Sequence, residues 1–390
     1  MKILIVAMVN SIHTARWLTQ LEGQGWDIHL FPSVLGVSSH PLIRNVTIHY
    51  PFFSRKIGSD DTGGVKAKRR YFDIAIRIIS QRFFPTFQAN RLRRVVGRIK
   101  PDVVHSLEMQ GAGYLTLQAK KAAASFPPWV VTNWGSDIYL FGNLPEHKAE
   151  IEQVLLACDF YSCECERDIR LAREFGFQGG TFPVFPNAGG FDLEPLYPVR
   201  SRVQTSCRKT IVLKGYQNWA GRALVGLRAL ERCVDLLGGY SVVIYSASPD
   251  VELAARLFSG RTSVPVLFVG NSSTHMDILQ MHAQARISIG LSISDAISTS
   301  MLEAMVMGAF PIQSCTACAD EWVEHGCNGM IVPPEDPDVI ELALRNALED
   351  DALVDSAAEK NWGIAQSRLD AGALRKKAVD LYLTFSSSNS

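Results

Sequence analysis

Apolar residues recur along this chain in two alternating rhythms. The amino-terminal run "KILIVAMV" is continuously apolar, the pattern of a parallel strand buried on both faces. In "SIHTARWLTQLEGQG", Ala15, Leu18 and Leu21 fall at helical spacing, and Gly23 and Gly25 supply a stop. "WDIHLF" returns to a strand, which completes a βαβ unit. Amphipathic helices are predicted over 71–83 and 89–100, then a strand "PDVVHSL", a helix "GYLTLQAKKAAA" and a strand opening "WVVTNWGSDIYLF". A helix and strand in "EIEQVLLACDFYSCE" and a helix "DIRLAREFGF" follow. The Pro- and Gly-rich "FPNAGGFDLEPLYP" reads as a linker. From about residue 200 the alternation restarts, with strands in "KTIVLKGY", "YSVVIYSA", "VPVLFVG" and "RISIGLSI" separated by helices, and it ends in the helical "WGIAQSRLDAGALRKKAVDLYLTF".

Two such halves predict an α/β protein of two doubly wound, Rossmann-like domains facing a cleft. The expected boundaries are 1–195 for the first domain, with a helical segment 363–385 packing back on it, and 205–362 for the second. A chain of 390 residues is too long for one core, which agrees.

Composition narrows the class. With 47% hydrophobic and 20% charged residues the chain is of ordinary globular type, and no apolar run approaches the roughly 20 residues that span a bilayer. The first apolar run reads as a strand and not as a leader peptide, so a cytoplasmic location is expected. Eight cysteines in a chain this long do not suggest a disulfide framework, and "CEC" and "CTAC" lack the spacing of a zinc tetrad. Net charge is zero, yet residues 65–100 hold eleven Lys or Arg against one acid, Asp73. Aromatic residues are interleaved among these cations. Docking at an anionic membrane surface is the expected use, ahead of nucleic-acid binding or a merely solvated helix face.

One stretch, "SDAISTSMLEAMVMGAFPIQS", carries candidate chemistry. Ser300 and Glu303 fit the S-x-x-E capping box, with Gly308 as the stop. The same residues also fit a ligand site. Ile297, Ser298, Thr299 and Ser300 would present backbone N–H groups at a helix N-terminus, where a phosphate is welcome. Glu303, one turn on, could meet vicinal hydroxyls, and Asp295 a sugar. The spacing alone leaves both readings open.

The surrounding block "LSISDAISTSMLEAMVMGAFPIQSCTACADEWVEHGCNGMIVPPEDPDVIELAL" resembles the C-terminal domain of the retaining glycosyltransferases of family 4. Asp295, Leu302 to Met305, Gly308, Pro311, Glu321, Asn328-Gly329 and Val332 to Pro337 stand at the family's motif positions. The likeness extends to "SIHTARWLTQLEGQGWDIHLF", "VVTNWGSDIYLFG" and the helical tail. Asp295 replaces the usual Glu, "MVNSIH" replaces a glycine-rich loop, and Trp134 stands where a His is common.

The resemblance implies the two-domain GT-B fold and sugar transfer from a nucleotide sugar, a UDP- or GDP-sugar, with retention of configuration. The leaving phosphate itself would take the acceptor's proton. The acceptor would be a glycan or lipid-linked saccharide of the cell surface, and the enzyme would sit at the inner face of the membrane. Lys214 and Arg222 are assigned to the diphosphate, in place of the family's basic pair, with Gly215 beside them. His13 is assigned to the diphosphate or the acceptor, and Arg16, Trp134, Gly135 and Asp137 to the acceptor. No metal or other cofactor is expected. The competing readings are a nucleotide-sugar epimerase on the same scaffold and a non-catalytic nucleotide-sugar binding protein.

Overall fold

Parallel pairing absorbs the apolar runs. The computed structural model describes residues 1–50, 53–58, 86–200, 202–270 and 273–385. The chain divides into two units, Met1–Gly190 with Gly372–Ser390, and Phe191–Ala371. The first contains strands β1 (Lys2–Ala7), β2 (Asp27–Pro32), β3 (Val46–His49), β4 (Ser54–Ile57), β5 (Val103–Leu107), β6 (Trp129–Thr132), β7 (Phe160–Ser162) and β8 (Gly180–Thr181), in the order β4-β3-β2-β1-β5-β6-β7-β8. All neighbours pair in parallel except β3 and β4, which are antiparallel. The second unit holds β9 (Thr210–Lys214), β10 (Ser241–Tyr245), β11 (Val266–Val269), β12 (Ala285–Gly290), β13 (Phe310–Ser314) and β14 (Met330–Val332), parallel throughout in the order β11-β10-β9-β12-β13-β14.

Both orders are doubly wound. Strand order reverses between β1 and β5 in the first unit and between β9 and β12 in the second, and ligands of such sheets bind past the carboxyl ends of the strands at that switch point. Strand burial matches the sequence pattern: Ile3 to Ala7 and Ala285 to Gly290 are buried without interruption.

The return of the chain to the first unit is held by a buried polar relay. Trp17 Nε1 donates to the Tyr382 hydroxyl (2.8 Å), and that hydroxyl lies 2.6 Å from His105 Nδ1. His105 Nε2 reaches Thr132 Oγ1 at 2.6 Å. Burial keeps the His105 imidazole neutral, its pKa pushed down to about 3. One helix (Ala371–Leu383) is thereby tied to the Ile12–Gln20 helix, to β5 and to β6. The helix before it (Asp351–Arg368) stays in the second unit, so residues 363–368 do not join the return segment expected from sequence.

Other differences have local causes. The expected linker is partly helical: Leu193–Arg200 forms a helix with Pro198 inside it, and Leu193, Leu196 and Arg200 are buried. The β3–β4 hairpin escaped notice because "SRKI" has only one buried residue, Ile57. The helix expected over 71–83 and six of the basic residues (Lys66, Lys68, Arg69, Arg70, Arg77 and Arg82) lie outside the described residues. The Phe87–Ile99 helix carries four of the rest, with Lys100 as its C-terminal cap, burying Ala89, Leu92, Val95 and Val96 and exposing Arg93, Arg94 and Arg98. Cys163 and Cys165 belong to the first unit, Cys315 and Cys318 to the second. No described helix is long and apolar enough to cross a membrane.

Candidate functional site

Three loops interlock past the carboxyl ends of β9, β12 and β13. After β9 the chain turns through Tyr216 to Gly221. Asn218 Oδ1 accepts the N–H groups of Ala220 and Gly221, both at 2.9 Å. The loop is then stitched to the one after β12: Arg222 N donates to Leu291 O (3.0 Å), and Ile293 N donates to Ala220 O (2.9 Å). The β12 loop is stitched in turn to the β13 loop, because Ser292 N donates to Ser314 Oγ (3.2 Å) and Thr316 Oγ1 donates to Ser292 O. Gly221 has no room for a side chain, since a Cβ there would lie 2.3 Å from Tyr216 O. Gly290 is similarly constrained, with Gln313 Oε1 2.4 Å from its Cβ position.

These loops enclose a pocket of about 190 Å3 at the switch point, lined among others by Lys214, Tyr216, Trp219, Ser294, Asp295 and Ser298. Lys214 ends β9, and its ammonium stands 4.7 Å from the centre of the Tyr216 ring. Ser298 opens the Thr299–Met307 helix. Its hydroxyl makes no cap bond and pairs with Ser300 Oγ at 2.9 Å, so no side chain among the described residues caps this helix end. Met301 N donates to Ser298 O (3.0 Å), and the N–H groups of Thr299 and Ser300 with the positive end of the helix dipole are left for a ligand. Asp295 folds back onto the N–H of Ala296 (2.9 Å). The pocket therefore unites Lys214, Asp295 and Ser298 of the expected residues, and adds Tyr216, Asn218, Trp219 and Gln313, which the sequence reading missed.

Several expected residues stand elsewhere. Arg222 is committed to the loop: its Nε donates to Glu335 Oε1 (2.7 Å) and its Nη1 to Gly221 O (3.0 Å), and it does not line the pocket. Gly215 does not line the pocket, and a Cβ there would meet Ala247 Cα at 2.6 Å. Ile297, Thr299 and Ser300 belong to the helix start, but their side chains do not line the pocket.

Glu303 is buried, and its Oε1 lies 2.9 Å from His275 Nε2. The S-x-x-E capping box does not form, because Ser298, not Ser300, is the capping residue and the carboxylate faces a side chain 28 residues away. The capping box of this region is instead Thr274 with Asp277, at the start of the His275–Gln284 helix.

In the first unit the expected acceptor residues gather past β1 and β6. His13, near the start of its helix, and Trp134 approach with ring centroids 5.3 Å apart. Gly135 takes φ +91°, open to glycine and strained for other residues. Arg16 lies one turn beyond His13 and holds the His40 pKa down, secondary to burial. Asp137 is buried. It accepts from Met109 N (3.0 Å) and Trp134 N (3.1 Å), and burial raises its pKa to about 6. In this position it braces the loop through two backbone N–H groups.

A second buried acid, Glu108, was missed. It follows β5 with φ +81° and ψ +154°, a region nearly closed to side chains, and its carboxylate accepts from Gly111 N (2.7 Å) and Ala112 N. Burial first, then the nearby Asp137, raises its pKa to about 7. The visible signal was an acid three residues before Gly111, where a Cβ would touch its Oε1 at 2.5 Å.

Comparison with known proteins follows the same division. Residues 2–161 match the family model described as Glycosyl transferase 4-like, and residues 261–363 match Glycosyl transferases group 1. No curated protein matches the chain in sequence. Among solved structures, sucrose-phosphate synthase from Thermosynechococcus elongatus is similar with TM-score 0.70 and 14% identity, covering 100% of both chains. HepE from Anabaena, in complex with UDP and glucose, gives TM-score 0.69 and 17% identity over 98% of this chain and 100% of that one. An α,α-trehalose-phosphate synthase from Burkholderia xenovorans, in complex with glucose-6-phosphate, gives 0.68 and 12% over 99% and 100%. With matching models on both units and like structures over its whole length, the chain belongs to the group 1, GT4-like glycosyltransferases, built on the GT-B fold.

Proposed function

We propose that this glycosyltransferase takes its sugar from a nucleoside-diphosphate sugar bound at the β9/β12 switch point, and transfers it with retention to a saccharide or lipid-linked acceptor. The observation that carries this reading is the pocket in which Lys214 and the uncapped start of the Thr299–Met307 helix converge. When the bond from the sugar to the diphosphate breaks, negative charge grows on the leaving phosphate. An ammonium and a helix N-terminus fixed beforehand stabilise that charge without reorganising. Asp295 would meet the sugar and Glu303 the ribose. No step requires a bound metal. The complexes of the similar Anabaena protein with UDP and with UDP-glucose support a donor of this class. Arg93, Arg94 and Arg98, exposed together on one amphipathic helix, support docking to an anionic surface by the acceptor unit, as a lipid-linked acceptor would need.

The test is calorimetric titration with UDP, GDP and ADP and their glucose or mannose derivatives. One nucleotide series should bind, and Lys214→Met should weaken it at least about tenfold, the loss of one charge-assisted contact. No binding by any of them, or equal binding by Lys214→Met, defeats the proposal.

A further inference from the structure

Glu303 is already occupied. Its Oε1 is held at 2.9 Å by Nε2 of His275, the first residue of its helix, whose side chain is 43% exposed. Seven residues along the same helix, His282 is fully buried, and its Nε2 lies 3.9 Å from the other carboxylate oxygen, Oε2. That is beyond hydrogen-bond reach, and neither ring nitrogen of His282 has another partner among the described residues. Burial pushes the His282 pKa down to about 4, so near neutrality it is an uncharged imidazole with one N–H left unsatisfied. Tyr245 packs edge-on against His282 at 6.0 Å.

A buried polar group without a partner is costly, and here His282 faces a carboxylate that is drawn to the other side. The arrangement has a second position. A shift of Glu303 by about 1 Å toward His282 would bring Oε2 within hydrogen-bond range of Nε2 and satisfy it. That shift breaks the bond to His275 and frees Oε1 to accept from a ligand hydroxyl.

We propose that His275 is a placeholder for the vicinal diol of the nucleoside: it holds Glu303 in the empty site, and the incoming hydroxyls displace it while the carboxylate moves onto His282. This rests on the reading of the Thr299–Met307 helix as the nucleotide site. His275 is then a specificity-setting residue, because only a ligand with the diol repays the broken bond. His282 is a positioning residue that acts through Glu303.

The test is calorimetric titration of UDP and GDP, each beside its 2′,3′-dideoxy analogue, against wild type, His275→Ala, His275→Gln and His282→Leu. Removing the competitor in His275→Ala should tighten the ribonucleotide about tenfold, the size of one hydrogen bond to a charged group, and leave the dideoxy analogue unchanged. His275→Gln, which keeps an N–H near the Nε2 position, should return to the wild-type value. His282→Leu should weaken the ribonucleotide alone. If His275→Ala binds the ribonucleotide equally or more weakly, the imidazole is a bystander or a direct contact and the placeholder role is wrong. If the wild type binds both forms of each nucleotide equally, it is the assignment of Glu303 to the ribose that fails.

Discussion

Removal of one oxygen atom tests how the chain's end is secured. Tyr382→Phe deletes a fully buried hydroxyl that accepts from Trp17 Nε1 at 2.8 Å and faces His105 Nδ1 at 2.6 Å. The ring remains and no cavity opens, so the cost is polar. Trp17 keeps a buried N–H with no acceptor, and His105 a buried nitrogen with no donor. Each orphaned group costs about 1–3 kcal/mol, which gives about 3 kcal/mol in all. In a unit of this size that lowers Tm by roughly 6–12 °C. The assay is thermal unfolding followed by tryptophan fluorescence and far-UV circular dichroism, with Tyr197→Phe as control, since that hydroxyl belongs to a side chain 49% exposed. A shift no larger than the control's would refute the relay as the fastening of the last helix.

Three further outcomes follow from particular atoms. Glu108 has its folded pKa raised from 4.5 to about 7, so the folded state keeps a proton that the unfolded state has released, and stability is lost as pH rises between those values. Glu108→Gln removes that dependence, and urea denaturation should show wild type losing about 2 kcal/mol more than the variant between pH 5.5 and 8; parallel pH profiles would contradict it. Gly221→Ala places a Cβ 2.3 Å from Tyr216 O and should lower Tm by several degrees and abolish nucleotide binding, whereas Gly238→Ala, with nothing within 4 Å of its Cβ, should do neither. Charge reversal of Arg93 and Arg94 should reduce co-sedimentation with phosphatidylserine vesicles, and undiminished binding would remove the membrane role from this helix.

Much of the architecture was legible because parallel strands buried on both faces write themselves as unbroken apolar runs. "KILIVAMV" holds all of β1 and "RISIGLSI" all but the first residue of β12, each run extending two or three residues beyond the strand. The "NG" and "EDP" motifs have local reasons too. A Cβ on Gly329 would press on Pro311 and Val323 at 2.8 Å, and Asp336 accepts from the N–H groups of Asp338 and Val339 to start a helix at Pro337. Long-range side-chain direction was not legible. Arg222 and Lys214 look alike in sequence as cations beside a turn, but Glu335, more than a hundred residues away, draws one of them from the pocket. Asp137 turns inward because Met109, after a different strand, offers it an N–H. Glu303 fits a capping pattern, yet His275 reaches it from another helix. In each case the deciding partner is set by the order of strands, which local periodicity does not encode.

The central claim is the position of the diphosphate. A crystal structure of the protein with a bound nucleoside diphosphate tests it most directly. The account predicts phosphate density between the Lys214 ammonium and the backbone N–H groups that open the Thr299–Met307 helix. Density seated elsewhere on the chain, with that pocket left to solvent, would contradict it.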